Sequence, residues 1–224
     1  FIKNNRIMKP IIKKISLIIG LIVAGLIIYY AIVIIRARIE TPQIVQNALA
    51  SRRIKLQLSD LNSEQINALL KVQDPGFYHH QGYDFPTPGT GLTTISQALV
   101  KIYYFDHFTP GLQKIKQTLI TRFAFDPLTP KDTILKLFIN EVYLGHQGKA
   151  IHGFEHAANV YFHKRFRELN QDEYLAMVAM IRAPDRFHCI KRKKANIHRV
   201  KRIKRMLAGY YKPEDNSDWL YDRM

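Results

Sequence analysis

The chain has 224 residues, and 47% of them are hydrophobic, so it is long enough to form one packed domain of ordinary size with an appendage. Its formal net charge of +16 calls for an anionic partner such as nucleic acid, a phospholipid surface or a phosphorylated substrate. The single cysteine, Cys189, excludes an internal disulfide framework.

The N-terminal region predicts a membrane anchor. Residues 15–35 are 21 consecutive residues without a charge, and at about 1.5 Å of rise each they cover the roughly 30 Å hydrocarbon core of a bilayer. Only Arg36 and Arg38 follow this run closely, whereas five basic residues precede it: Lys3, Arg6, Lys9, Lys13 and Lys14. This asymmetry predicts that residues 1–14 are cytoplasmic and that everything after residue 38 lies outside.

A cleaved signal peptide is the alternative, because Ala48-Leu49-Ala50 has the small-x-small form of a cleavage site. The apolar run is longer than a signal peptide requires, however, and the candidate site lies too far beyond it. Residues 40–224 carry 27 Lys and Arg against 18 Asp and Glu. A domain with this charge, held outside by a helix, faces anionic lipid head groups, and its location argues against nucleic acid.

The rest of the chain predicts a mainly α domain. We interpret residues 36–60 as an irregular, partly extended connector in which 52–61 has a strand-like alternation, residues 61–210 as the domain and 211–224 as a C-terminal tail. Periodicity and capping signals predict helices over 61–73, 93–104, 109–123, 130–143, 150–162 and 170–182, with a Gly/Pro-rich loop at 82–92. Asp60 or Ser63 is the expected cap of the first helix, and Thr109-Pro110 that of the third. Asp126-Pro127 predicts a break between the third helix and the fourth.

Residues 191–205 contain nine Lys and Arg among fifteen residues. An apolar stripe also runs along this segment, formed by Ile197, Val200, Ile203 and Leu207. The stripe predicts a helix that packs on the core, while the basic face is either solvated or docked onto anionic lipid.

The end of the first domain helix holds the candidate site. Ile66, Leu69, Leu70 and Gln73 recur at helical spacing, which predicts that Gln73 faces inward. The next residue, Asp74, should then point elsewhere, because neighbours do not share a helix face.

Five stretches follow one another over about residues 52–207: QDPGFYHHQG at 73–82, GLTTISQALVK at 91–101, QKIKQ at 113–117, KDTILKLFIN at 131–140 and the residues from Gly153 to Ala176. Together they resemble glycosyltransferase family 51, the peptidoglycan glycosyltransferase domain of penicillin-binding proteins and of monofunctional transglycosylases. Residues 73–82, QDPGFYHHQG, resemble the family motif Glu-Asp-x-x-Phe-x-x-His-x-Gly, and residues 91–101, GLTTISQALVK, resemble Gly-x-Ser-Thr-Ile-Thr-Gln-Gln with its following lysine. Residues 113–117, QKIKQ, match Arg-Lys-x-x-Glu, while KDTILKLFIN at 131–140 and the residues from Gly153 to Ala176 match the fourth and fifth motifs. The resemblance implies a lysozyme-like helical fold, an extracytoplasmic domain on the bacterial inner membrane and lipid II as substrate.

The departures from the family pattern bear on catalysis. In the family, the first-motif glutamate is the general base and the third-motif glutamate helps position the departing diphosphate, but here these positions hold Gln73 and Gln117. The family's arginine before the third-motif lysine is Gln113, the second glutamine of the second motif is Ala98, and the loop between the first two motifs is shorter. Engineering could explain two Glu→Gln changes, whereas the further losses favour natural divergence.

The remaining motif residues predict a binding cleft. Lys101 and Lys114 match positions that contact the diphosphate in the family, and the resemblance places further binding residues at Asp74, Phe77, His80, Thr94 and Gln97. Local capping is an equal alternative for Thr94 and Gln97. Asn140, Tyr143 and Gly145 are expected to be structural. We expect no bound cofactor; the resemblance allows a divalent cation at the diphosphate, although we do not expect one here.

A zinc site is a competing interpretation of residues 152–156, HGFEH, which match the His-x-x-Glu-His pattern of inverted zinc proteases. The pattern needs His152 and His156 on one helix, and Gly153 makes that helix a poor scaffold.

Two functions therefore remain open. The first is a catalytically impaired, transferase-like protein that binds a lipid-linked peptidoglycan precursor or glycan strand, or regulates an envelope-synthesis partner. The second is a working peptidoglycan glycosyltransferase with a displaced base, for which Asp74, Asp84 or His80 would have to substitute.

Overall fold

The computed structural model describes residues 4–223, with side chains from residue 13 onward, so Lys3 of the predicted cytoplasmic segment lies outside the described residues. Helix α1 runs without interruption from Asn4 to Leu49. It contains a candidate membrane span by length and composition, which agrees with the predicted apolar anchor. The helix also covers residues 36–49, so the prediction of an irregular connector was wrong there. Ala37 and Thr41 of this part are buried against the domain, and this packing stabilises the helix beyond the apolar run.

The middle of the domain consists of helices that pack around the predicted site. They are α2 (Ser63–Gln73), α3 (Ile95–Tyr104), α4 (Leu112–Ile120), the short α5 (Asp126–Leu128) and α6 (Lys131–Glu141). Asn62, rather than Asp60 or Ser63, caps α2, because its side chain accepts a hydrogen bond from the Gln65 amide. Residues 52–57 form no strand, and a 3₁₀ turn follows at Leu58–Asp60.

Two predicted helix boundaries were wrong. Helix α4 begins after Gly111, whose φ of 107° favours glycine, and not at Thr109-Pro110. No break occurs at Asp126-Pro127, because a π-helical turn at Thr121–Phe125 leads directly into α5. Pro127 closely follows the π-helical turn, where the regular i→i−4 hydrogen bonds are already interrupted, so its missing amide hydrogen is tolerated.

A small antiparallel hairpin was not predicted. Strand β1 (Tyr143–Gln147) pairs with β2 (Lys149–His152) in the register Tyr143 with His152 and Gln147 with Lys149.

Asn140 at the end of α6 holds residues 55 and 56, accepting hydrogen bonds from both amides at 2.8 and 2.9 Å, in keeping with its expected structural role.

The C-terminal half completes the core. Helices α7 (Phe154–Phe162) and α8 (Gln171–Met180) bury aromatic and aliphatic side chains, and α9 (Lys193–Leu207) packs against α8 and α2. Val200 and Ile203 of the predicted apolar stripe are buried, whereas Ile197 is 44% exposed. The mainly α fold predicted from the sequence is confirmed.

Candidate active-site cleft

The glutamines at the two positions of the family's glutamates, Gln73 and Gln117, both lie close to the first turn of α3. Gln73 is the last residue of α2 and is 4% exposed, as the periodicity predicted, and Gln117 of α4 is 1% exposed. Neither Oε1 atom accepts a hydrogen bond from any residue that the structure describes. Asp74, adjacent to Gln73, binds the amide of Ile95, and Gln117 binds the carbonyl of Gln97, so the start of α3 connects both positions.

Gln117 makes a contact that suits an amide and not a carboxylate. Its Nε2 donates to the backbone oxygen of Gln97 at 2.6 Å. An ionised glutamate at this position would place a negative oxygen against that carbonyl, with no proton to share. The local packing is therefore complementary to glutamine.

Asp74 does not point away from the site, contrary to the helical-face prediction. It is completely buried, because its backbone leaves the helix with φ of −157° and ψ of 75°, so the face rule no longer applies. Its Oδ2 accepts from the Ile95 amide at 2.9 Å, and its Oδ1 lies 2.9 Å from His80 Nε2. The carboxylate thus joins the end of α2 to the start of α3.

His80 completes this unit, and its hydrogen bonds favour one tautomer of the ring. Its Nδ1 accepts a hydrogen bond from the Gly82 amide at 3.1 Å, which leaves Nε2 as the proton donor to Asp74. The atoms of Asp74, His80 and Asp84 that could bind a metal ion, two carboxylate oxygens and a ring nitrogen, lie within 4.8 Å of one another. Both His80 nitrogens are engaged in hydrogen bonds, however, and this set does not fit a resident cation.

Phe77 is 1% exposed and packs beneath the site. The Lys131 ammonium lies 4.8 Å from the centre of the Phe77 ring and donates to the His80 carbonyl at 2.9 Å and to Asp126 at 2.9 Å. The predicted contact between Phe77 and substrate finds no support in this placement, which favours a packing role.

Thr94 and Gln97 form the capping box of α3. The Thr94 hydroxyl accepts from the Gln97 amide at 3.2 Å and donates to the Gly82 carbonyl at 2.7 Å, while Gln97 Oε1 accepts from the Thr94 amide at 3.2 Å. Of the two alternatives raised by the sequence, local capping is therefore satisfied at both residues. Gln97 also contacts Lys114, so the capping box supports the cationic part of the cleft.

Lys114 is the half-buried cation of the cleft. Its Nζ donates to the Leu92 carbonyl at 2.9 Å and to Thr93 Oγ1 and Gln97 Oε1 at 3.3 Å each. Burial lowers the pKa of the Lys114 ammonium, and the positive charge of Lys101 lowers it further. Lys101 itself is exposed, with its ammonium 5.3 Å from the centre of the Phe108 ring. The structure thus places the two positive charges near each other, and their contact with a diphosphate stays a prediction.

Gln113 is tied to the start of its own helix. Its Oε1 accepts from the Thr109 amide at 2.7 Å, so this side chain bonds the preceding loop. A glutamine cannot provide the bidentate phosphate contact of an arginine.

Arg182 is a site residue that the sequence did not reveal. Its Nη2 lies 2.8 Å from the Gln73 carbonyl, 3.1 Å from that of Val72 and 3.0 Å from that of Gly89. Burial lowers the pKa of Arg182 to about 10, so the guanidinium stays charged at neutral pH. It fixes the backbone of Gln73 to the loop after the first motif. No local pattern marks Arg182, because its partners lie about 90 to 110 residues away.

The zinc interpretation of residues 152–156 was wrong in its geometry. His152 lies in β2 and bonds the Glu141 carbonyl at 3.1 Å, whereas His156 lies in α7, which begins only at Phe154. Gly153 separates the two elements with φ of 77°, and a Cβ there would lie 2.5 Å from the Asn140 carbonyl oxygen. The two histidines are therefore not on one helix, as the pattern requires.

Comparisons with known proteins identify related sequences. A family model described as Transglycosylase matches residues 41–208. Penicillin-binding protein 1B of Buchnera aphidicola is 29% identical over 147 residues, which are 59% of this chain and 19% of the relative. Penicillin-binding protein 1A of Pseudomonas aeruginosa is 29% identical over 150 residues (61% and 18%), and that of Escherichia coli is 28% identical over 150 residues (61% and 17%). The chain spans about a fifth of the length of these relatives, and the match agrees with the lysozyme-like helical fold predicted above.

Proposed function

Because the chain belongs to the transglycosylase family, we propose that it is a membrane-anchored, peptidoglycan-glycosyltransferase-like protein with impaired catalysis. In this proposal it lies on the outer face of the bacterial inner membrane, and it either binds a lipid-linked cell-wall precursor or a glycan strand or regulates an envelope-synthesis partner. One observation carries the proposal: both positions at which the family motifs have a glutamate hold a buried glutamine.

The chemical reason is the loss of a base. An amide oxygen does not take up a proton at neutral pH, so Gln73 cannot accept the proton of an acceptor hydroxyl. General-base catalysis contributes about 10²–10⁴ in rate, and Asp74 is already bonded to α3 and His80. Catalysis is thereby weakened without removal of the cleft.

The retained cations support binding. Lys114 is half-buried and positioned by Gln97, and Lys101 lies near enough to lower its pKa. The half-buried Lys114 ammonium, with the exposed Lys101 ammonium nearby, favours a diphosphate, since hydrogen bonds to a charged group are stronger where water is partly excluded.

Replacing Lys114 with methionine should weaken binding of lipid II about 10- to 100-fold, because one charge-assisted contact is worth about 1.5–3 kcal/mol. The measurement is the dissociation constant of fluorescent lipid II for the full-length protein in detergent micelles. A Lys193→Met variant is the matched control, because Lys193 is an exposed lysine on α9. Equal affinities of the two variants would refute the diphosphate role of Lys114.

The junction of α1 with the domain supports membrane contact. Arg38, three residues after the apolar run, donates to the Phe123 carbonyl at 2.5 Å, and Thr41 lies 2.6 Å from the Tyr104 hydroxyl. Three residues of helix correspond to about 4.5 Å, so Phe123 would lie close to the end of the hydrocarbon core. Leu112, at the start of α4, and Phe123, in the π-helical turn that follows it, are 77% and 46% exposed, which suits a lipid surface.

A polarity-sensitive label on a Leu112→Cys variant should emit at shorter wavelength in liposomes and be quenched by spin-labelled lipids. Burial raises the pKa of the Cys189 thiol to about 11, so the label should react with the introduced cysteine. A Glu64→Cys variant provides the comparison, because Glu64 is exposed at the start of α2, which lies outside the basic segment of α9. If both labels are quenched to the same degree, the domain does not contact the membrane through α4.

A further inference from the structure

The segment after α9, residues 209–223, returns across the domain as an ordered strap. Arg199 holds it in place: this side chain is completely buried, and its Nη1 donates to the Trp219 carbonyl at 3.1 Å. Its guanidinium also lies 5.0 Å from the Trp219 ring centre and 5.7 Å from that of Tyr221. Tyr221 is 1% exposed and has φ of 56°, a backbone conformation that only surrounding packing can maintain.

Hydrogen bonds within the strap make it a folded unit. Asp218 is 2% exposed, and its Oδ2 accepts from the Tyr211 hydroxyl at 2.6 Å and from the Glu214 amide at 3.1 Å. Asp215 in turn accepts from the Ser217 amide and hydroxyl, both at 2.7 Å. The strap therefore presents a fixed backbone to whatever it packs against.

The strap binds the loop of residues 82–92, which follows the first motif. The Gly89 amide donates to the Asp215 carbonyl at 2.8 Å, and the Gly91 amide donates to the Asn216 carbonyl at 2.5 Å. Thr90, between the two glycines, is completely buried. A Cβ at Gly89 would lie 3.2 Å from the Pro213 ring, so the loop backbone is in close contact with the strap at this point.

The same loop is bonded to both sides of the cleft. On one side, Arg182 joins the Gly89 carbonyl to the Gln73 carbonyl. On the other side, the Leu92 carbonyl accepts from Lys114 Nζ at 2.9 Å. The remaining two acceptors of that ammonium are Thr93 and Gln97, so all three of its hydrogens have partners in the protein. An anion that binds Lys114 must displace at least one of them.

We infer that residues 82–92 are a lid, held closed by Lys114 at one end and by the strap at residues 89–91, and that a lipid-linked diphosphate enters only when these contacts are released. The inference rests on the proposed function, since it takes the diphosphate as the ligand of Lys114. A phosphate oxygen can displace the Leu92 carbonyl from Lys114, because it is a stronger acceptor for an ammonium group than a neutral carbonyl. The hydrogen bonds of Gly89 and Gly91 to the strap then determine how easily the rest of the lid opens.

The test is amide hydrogen exchange at Gly89 and Gly91 in the full-length chain in detergent micelles, with farnesyl diphosphate as the probe and farnesol as its uncharged control. Both amides should be protected without probe and exchange about tenfold faster with saturating farnesyl diphosphate, because local opening controls exchange. Trp219, the single tryptophan, should shift its emission to longer wavelength at the same time. Farnesol should produce neither change.

A Trp219→Ala variant tests the strap directly. It should accelerate exchange at Gly89 and Gly91 about tenfold without probe and bind farnesyl diphosphate more tightly, while amides of the buried helix α6 remain protected. If the Trp219→Ala variant unfolds, the amides of α6 will lose their protection. The exchange at Gly89 and Gly91 of the unmodified chain then decides alone whether the lid opens.

The outcomes separate the lid from the proposed function. Binding of farnesyl diphosphate with unchanged protection at Gly89 and Gly91 would overturn the lid and leave the proposed function intact. Binding by the Trp219→Ala variant alone would support the lid. Binding by neither protein would refute the proposed function, and the lid with it.

Discussion

Labelled lipid II should yield no glycan ladder with the unmodified chain, whereas a Gln73→Glu/Gln117→Glu variant should form glycan at least about 10²-fold faster than the unmodified chain. The expectation follows from the contribution of a general base, which is about 10²–10⁴ in rate. The gain should fall short of the upper value, because a carboxylate at position 117 would face the Gln97 carbonyl and because Gln113 and Ala98 remain. Full-length protein in detergent or liposomes, read on a glycan gel, provides the measurement.

Two further proteins make the result interpretable. The Gln73→Glu single variant separates the base from the unfavourable contact at position 117. A Gln43→Glu/Gln171→Glu variant adds the same charge at exposed positions and should remain inactive. A ladder from the unmodified chain would refute impaired catalysis and direct the search for a base to Asp84, since Asp74 is buried and bonded. No ladder from any variant would mean that the cleft has lost more than its carboxylates.

Replacing Asp74 with alanine should lower the free energy of unfolding by about 3–5 kcal/mol, the largest stability effect that we expect at the site. The substitution leaves two buried donors, the Ile95 amide and His80 Nε2, without their acceptor, at about 1–3 kcal/mol each, and it disconnects α2 from α3. Chemical denaturation of the detergent-solubilised protein, followed by circular dichroism, measures the difference.

The effect belongs to the two hydrogen bonds and not to removal of an acidic group in general. An Asp185→Ala variant, at an exposed aspartate, should change the unfolding free energy by no more than about 0.5 kcal/mol. An Asp74→Asn variant retains one acceptor oxygen and should fall between the two alanine variants. If Asp74→Ala is as stable as Asp185→Ala, the carboxylate is not structural and again becomes a candidate base.

The sequence predicts local structure well where side chains contact their own neighbours. The inward face of α2 and the capping box at Thr94 and Gln97 are both encoded within a few residues, and the structure contains both. The prediction that Asp74 points away from the site was wrong, because helical periodicity holds only while the backbone is helical. Asp74 is the first residue past the helix. The start of α4 depended in the same way on the backbone of one glycine, Gly111.

The hairpin and the contacts of Arg182 and Arg199 could not be predicted, because they depend on residues far away in the sequence. Strands β1 and β2 are five and four residues long and contain few β-branched residues, so their pairing depends on the helices beside them. Arg182 and Arg199 resemble any other basic residue in a chain of high positive charge, yet Arg199 is completely buried and Arg182 is half-buried. Their partners in the loop and the strap are brought near only by the completed fold.

The uninterrupted α1 has a mechanical consequence. At about 1.5 Å per residue, its 46 residues form a rod of about 70 Å that passes from the apolar run into the domain, where Arg38 and Thr41 fasten it. Since no joint separates rod from domain, a bilayer that tilts the rod rotates the cleft by the same angle. Transmembrane helices tilt in response to hydrophobic thickness. The thickness of the membrane would therefore set the angle at which Lys114 and residues 82–92 face the lipid surface.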